Sequence, residues 1–200
     1  MIDNPMPDLP AQLAFILEID KLKGVVRQTL LTDGSRRENS AEHSWHLAIM
    51  AILLTQYAAA PVDVARTMKM VLVHDLVEID AGDTFAYDAA GNVGKEERER
   101  LAADRVFGIL PEVQGRELRE LWDEFEEAVT PEARYANALD RLQPLLHNAN
   151  TEGGTWRIHN VKRAQVYKRM EPVRIGLPEI WPVVVKIIED ACATGWIARD

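Results

Sequence analysis

Cysteine is all but missing from this chain. Cys192 is the only one in 200 residues, so no intramolecular disulfide can form. Zinc ribbons and iron–sulfur clusters, which need several thiolates, are excluded as well. A single thiol among Ile187, Ile188 and Ala191 is expected to be buried, and it suits a reducing compartment. Positive charge is scarce too. Lys and Arg total 23 against 32 Asp and Glu, for a net charge of −9 and a pI near 5.1. Long nucleic acid and anionic membranes reward a concentrated positive field, so both are poor partners. A small anion remains compatible, because one pocket can gather arginine or a metal. Long apolar runs are absent: the densest, Leu47 to Leu54, falls far short of the ~20 residues of a membrane span. Met1 to Pro10 carries acid and proline but no Lys or Arg, unlike a signal peptide. The expected location is cytoplasmic.

Strand signals are nearly absent. The short β-branched runs Val71–Val73 and Val183–Val185 both sit in helical context. Helical spacing dominates instead, first over Leu9–Lys23, with Gly24 ending the segment. Gly24 to Ala41 reads as a loop around Asp33-Gly34-Ser35. Ser40 is the expected N-cap of a helix from about Ala41 through Tyr57. Pro61 opens the next, which runs down to His74-Asp75. Asp80 to Gly94, with three Gly and three Asp, is the least regular interior stretch. Helices follow over Gly94–Gly108 and Glu117–Val129. Another starts at Thr130-Pro131-Glu132 and reaches about Asn150, and shorter ones lie near 161–170 and 178–193. The expectation is an all-α fold over 1–200 as a single domain, its length suiting one compact unit.

Several ionisable groups interrupt faces that should be apolar. His43 falls in line with Leu47, Met50 and Leu54, at i, i+4, i+7 and i+11. His74-Asp75 interrupts Met70–Val73, Glu78 lies one turn beyond, and Asp140 follows Ala138-Leu139. A buried carboxylate is costly unless it is paired, hydrogen-bonded or coordinated. Taken singly, each reads more often as a satisfied core residue than as a ligand, Asp75 or Asp140 pairing with an arginine such as Arg141. Together, two His and two Asp form a nitrogen–oxygen set suited to a divalent metal.

The order of these groups resembles a known pattern. Glu42-His43-Ser44, then His74-Asp75, then Asp140 is similar to the HD superfamily of metal-dependent phosphohydrolases. Residues 37–44, Arg-Glu-Asn-Ser-Ala-Glu-His-Ser, and 74–83, His-Asp-Leu-Val-Glu-Ile-Asp-Ala-Gly-Asp, resemble its 5′-deoxynucleotidase branch. The likeness spans about 22–146, which is the expected motif core; helices of 150–200 are expected to pack on it in one HD-domain helical bundle.

The resemblance implies one divalent ion (Mn, Co, Fe, Zn or Mg) held by His43, His74, Asp75 and Asp140. It implies Glu78 as general base or water-positioner, with the alternative that Glu78 orients a histidine ligand. Asp83 corresponds to an acidic residue that assists catalysis or sugar recognition. Arg27, four residues after Lys23, is the expected phosphate ligand, with Arg36 and Arg37 as alternatives. The implied activity is release of phosphate from a nucleoside 5′-monophosphate, deoxynucleotides included, by a cytoplasmic homodimer with Trp181 near an interface. A non-catalytic nucleotide-binding regulator and a cyclic-nucleotide phosphodiesterase are the alternatives. A di-iron oxygenase needs further histidines between His74 and Asp140, and there are none; His147 and His159 come too late in the order. The branch carries Trp where this chain has Gln28, so an aromatic wall beside the sugar or base is expected to be missing. The loop before Glu38 is one residue longer. Trp156, beside Gly153-Gly154, is a candidate for the pocket rim.

Overall fold

Short polar side chains, Asn39, Asp63 and Thr130, start the three helices that carry most of the site. The computed structural model describes residues 6–88 and 90–198. Helix α1 (Leu9–Ile19) ends in a 3-10 turn at Asp20–Gly24. Two strands follow, β1 (Val26–Leu30) and β2 (Arg37–Asn39). They pair antiparallel, with Val26 opposite Asn39 and Leu30 opposite Arg37. This hairpin stands where the sequence reads as a loop. Its strands are short and rich in Arg, Gln, Thr, Glu and Asn, so β-propensity is weak. What fixes it is one inward face, on which Arg27, Thr29 and Glu38 are buried.

Helix α2 (Ser40–Leu53) is capped by Asn39 rather than by Ser40. The Asn39 side chain accepts from the Glu42 N–H, and the Glu42 carboxylate accepts from the Asn39 N–H, a reciprocal capping box. That leaves the Ser40 hydroxyl available elsewhere. Asp63, not Pro61, starts α3 (Val64–Val73) by accepting from the Arg66 N–H. The chain turns through His74–Val77 into α4 (Glu78–Ala81), which Gly82 stops at φ 73, a conformation that favours glycine. Next come α5 (Lys95–Phe107) and α6 (Glu112–Glu127). Thr130 caps α7 (Pro131–Asn150), which runs through Pro144. The chain closes with α8 (Gly154–Ile158), α9 (Arg163–Arg169), α10 (Glu171–Gly176) and α11 (Trp181–Ala193). The architecture is all-α apart from the small hairpin.

Helix α7 is the axis. Residues Tyr135 to Asp140 are buried in an unbroken run, as expected for a helix packed on several sides. Helix α10 comes so close that a Cβ on Gly176 would meet the Arg134 carbonyl at 2.5 Å. Around α7 lies one apolar cluster, including Leu47, Met70, Leu139, Val173 and Ile188. A second gathers Phe15, Leu22, Val77, Val106, Phe107 and Trp122. The His74–Val77 turn is the seam, with Met70 and Val71 in the first cluster and Leu76 and Val77 in the second. Cys192 is half-buried rather than fully enclosed. No helix among the described residues is long and apolar enough to cross a membrane.

Candidate functional site

Three helical segments bring the unusual polar residues together. His43 comes from the middle of α2, His74 and Asp75 from the turn after α3, and Asp140 from the middle of α7. All four are buried. Donor atoms of His43, His74 and Asp75 lie within 4.8 Å of one another. Asp140 Oδ1 is 2.9 Å from His43 Nε2 and 3.8 Å from His74 Nε2.

The far nitrogens fix both imidazoles. His74 Nδ1–H donates to the Val71 carbonyl at 2.9 Å, so the proton is on Nδ1 and the Nε2 lone pair faces inward. That Nε2 is buried without a hydrogen-bond partner, although Asp75 Oδ1 is only 3.0 Å away. His43 Nδ1–H donates to Gln143 Oε1 at 3.2 Å, which points its Nε2 the same way. Two imidazole lone pairs and two carboxylates converging on one buried point fit a divalent cation. The site attracts positive charge: burial works to lower His74, yet Asp75 and Asp140 hold it up at about 9, so at neutral pH a proton occupies its Nε2 lone pair unless a cation displaces it. His43, under burial and the charge of Arg27, falls to about 4 and is neutral.

Behind His43 the polar groups close into a network. Gln143 Nε2 donates to Glu38 Oε2 at 2.8 Å and to His147 Nε2 at 3.1 Å. His147 Nδ1–H in turn donates to the Leu30 carbonyl at 2.8 Å. The hairpin is thus tied to α7 through the residue that orients His43. Glu38, pushed up by burial to about 7, also lies 3.5 Å from Arg27 Nε.

On the other flank, Arg27 donates to Asp75 Oδ2 at 2.9 Å and stands 3.7 Å from Asp83 Oδ1. Glu78 is buried and accepts from the Ser40 hydroxyl at 2.6 Å. Burial and the charge of Asp75 push its carboxyl well above the ordinary value. Asp83 is raised by burial against the pull of Arg27.

A sequence model described as HD domain matches residues 19–181. The chain belongs to the HD-domain family. The crystal structure of a predicted metal-dependent phosphohydrolase from Magnetospirillum magnetotacticum is 53% identical, covers 99% of this chain and all of its own, and superposes with a TM-score of 0.94. The human protein named 5′-deoxynucleotidase HDDC2 is 29% identical over 88% of this chain and 83% of its own length. Its bovine counterpart is 30% identical over 70% of this chain and 67% of its own length.

This HD domain presents a pocket beside the cluster. A cavity of about 70 Å³ is lined by Arg27, Gln28, Asp83, Phe85, Tyr87, Arg141, Trp156 and Arg169, among others. Gln28 therefore does not leave the pocket without aromatic walls: Phe85, Tyr87 and Trp156 provide them, and Trp156 does reach the cavity. Phe85 is itself backed by His159, ring centroids 4.3 Å apart. Arg37 is not brought to the site. Glu38 takes the inward position on β2, so its neighbour points outward and is exposed. Arg36 is likewise exposed and paired with Glu42 at 2.6 Å. Arg141 pairs with Asp140 on its own helix.

Ser40, Glu38, Gln143 and His147 are given no role in the site by the sequence. Gln143 had one available signal, since it follows Asp140 by three positions and so shares its face of α7. Ser40 had none: a serine before a helix reads first as a cap.

Proposed function

We propose that this protein is a metal-dependent phosphomonoesterase that releases phosphate from nucleoside 5′-monophosphates. The observation that carries the reading is the convergence of His43, His74, Asp75 and Asp140 next to the carboxyls of Glu78 and Asp83, both raised above the ordinary value by burial. In this reading those four side chains hold one divalent ion, and Arg27 keeps Asp75 and Asp83 turned toward it. An ion bound there supplies Lewis acidity to the phosphoryl oxygens and to water. Glu78, fixed by Ser40, accepts the proton of the attacking water, its raised pKa suiting a base that works near neutral pH. As the new P–O bond forms and the ester P–O bond breaks, Asp83 protonates the departing 5′ oxygen. The nucleoside lies along Phe85 and Tyr87. The named relatives support a nucleotide substrate.

The reading extends to one domain over the whole chain and to a cytoplasmic homodimer. Trp45, Ile49, Ile52 and Leu53 are exposed along one face of α2, and such an apolar stripe favours a second subunit. Sedimentation at micromolar concentration tests it.

The test of activity is phosphate release from a panel of ribo- and deoxynucleoside 5′-monophosphates. Metal-stripped protein is resupplied with each divalent ion in turn, beside Glu78→Ala. Release that depends on metal and falls ~10²–10⁴-fold in the variant is expected. No release with any ion or nucleotide rejects the assignment.

A further inference from the structure

The cations around the pocket are unequally employed. Arg27 faces Asp75 at 2.9 Å, Glu38 at 3.5 Å and Asp83 at 3.7 Å. Its charge is answered by carboxylates before any ligand arrives. Arg141 has one acidic partner among the described residues, Asp140. Arg169, at the end of α9, has no ion pair or hydrogen bond among them. Burial and the neighbouring Arg141 lower its guanidinium to about 10, so it stays charged at neutral pH. The two guanidiniums thus stand near enough to repel, and Asp140, which pairs with Arg141, is the carboxylate that acts on both.

Their position gives that arrangement a use. Arg141 and Arg169 line the 70 Å³ cavity together with Arg27 and Asp83. They also line a wider cleft of about 450 Å³ alongside Tyr87 and Lys168. The arginines therefore stand at the junction of a chamber of phosphate size and a cleft wide enough for a nucleoside. The charge balance points the same way. Asp75 and Asp140 answer a divalent ion, and Arg27 is already answered by Asp75, Glu38 and Asp83, so neither leaves an unspent positive charge for an arriving phosphate dianion.

We propose that Arg141 and Arg169 form an oxyanion clamp that grips the phosphoryl group of the substrate, while Arg27 acts as the positioning residue for Asp75 and Asp83. The planar guanidinium forks suit two phosphate oxygens each. This assignment deepens the phosphomonoesterase reading and rests on it for the identity of the substrate. The clamp itself is a claim about any tetrahedral oxyanion at this place.

The experiment uses the manganese-loaded full chain and inorganic phosphate as the probe, with affinity read by calorimetry and KM and kcat read separately. Arg169→Gln is expected to weaken phosphate at least tenfold and to raise KM by a similar factor, with metal content unchanged. Arg169→Lys keeps the charge without the fork and should recover part of that affinity. Arg174→Gln, an exposed control paired with Glu171, should bind phosphate as the unaltered protein does. Wild-type phosphate affinity and KM in Arg169→Gln overturn the clamp. So does parallel loss of phosphate and metal in both Arg169 variants, which assigns the residue to the fold. If the unaltered protein hydrolyses no nucleotide while Arg169→Gln still loses phosphate affinity, the nucleotidase reading fails and the clamp stands.

Discussion

The two sides of the His/Asp cluster are built on opposite principles. Behind His43 the side chains are linked in turn, His43 to Gln143, Gln143 to Glu38 and His147, His147 to the Leu30 carbonyl, although Glu38 Oε1 faces Arg27 Nε at 3.5 Å without a hydrogen bond. In front, around the cavity, Arg169 has no ion pair or hydrogen bond among the described residues, and His74 Nε2 has no hydrogen-bond partner. Buried polar groups that set geometry must be satisfied within the protein, because leaving one unpaired costs about 1–3 kcal/mol. Groups left unsatisfied at a cavity wall mark where something else supplies the partner. The closed side should therefore answer to mutation as stability and orientation, and the open side as binding and turnover.

The largest effect should come from the convergence point itself. His74→Ala removes an inward lone pair, and metal content by elemental analysis should fall below one ion per chain, with phosphate release down at least ~10³-fold. Retention of both would remove His74 from the ligand set. Next is the closed side. Gln143→Ala strands His43 Nδ1, Glu38 and His147 together, and urea unfolding should show a loss of about 3 kcal/mol, with metal affinity ~10–100-fold weaker. A loss below about 1 kcal/mol would mean that the network is ornamental and the contrast false.

Ser40→Ala probes the boundary between the two sides. The Ser40 bond opposes the upward push on Glu78, so its removal raises that carboxyl further. A base must be ionised to act, so the acidic limb of kcat/KM should move to higher pH, with a fall of roughly tenfold near neutrality. An unmoved limb would separate Glu78 from proton transfer. The smallest change is expected from Gln28→Trp on the open side. It should alter the ratio of kcat/KM for deoxy- over ribonucleotides by a few-fold while stability stays within about 0.5 kcal/mol. A large stability change with an unchanged ratio would invert the comparison.

Legibility in the sequence followed the same division. His43, His74, Asp75 and Asp140 stood out because ionisable residues on apolar helical faces are expensive, and the structure brings the four together. The start of α7 was readable because Thr130 and Pro131 each have a specific place at a helix terminus. The hairpin was not, since strands this short and polar carry no alternation strong enough to compete with a loop. Phe85 and Tyr87 lie in the irregular stretch after Gly82, where no period predicts which way a side chain faces. Arg141 and Arg169 look like ordinary surface arginines until the fold brings both to the wall of one cavity. Arg37 misled because adjacent residues on a strand point to opposite faces, and Glu38 holds the inward one.

The distances along the chain between the clustered residues carry one more consequence. His43 reaches Asp140 across 97 residues and Gln143 across 100. Closing a loop of that length costs about 4 kcal/mol in chain entropy, so these contacts follow the local helices rather than seed them. During synthesis, a chain extended only to α6 displays His43 and His74 without Asp140 or the glutamine that orients them. The centre is completed only when α7 arrives, and truncated products lack it altogether.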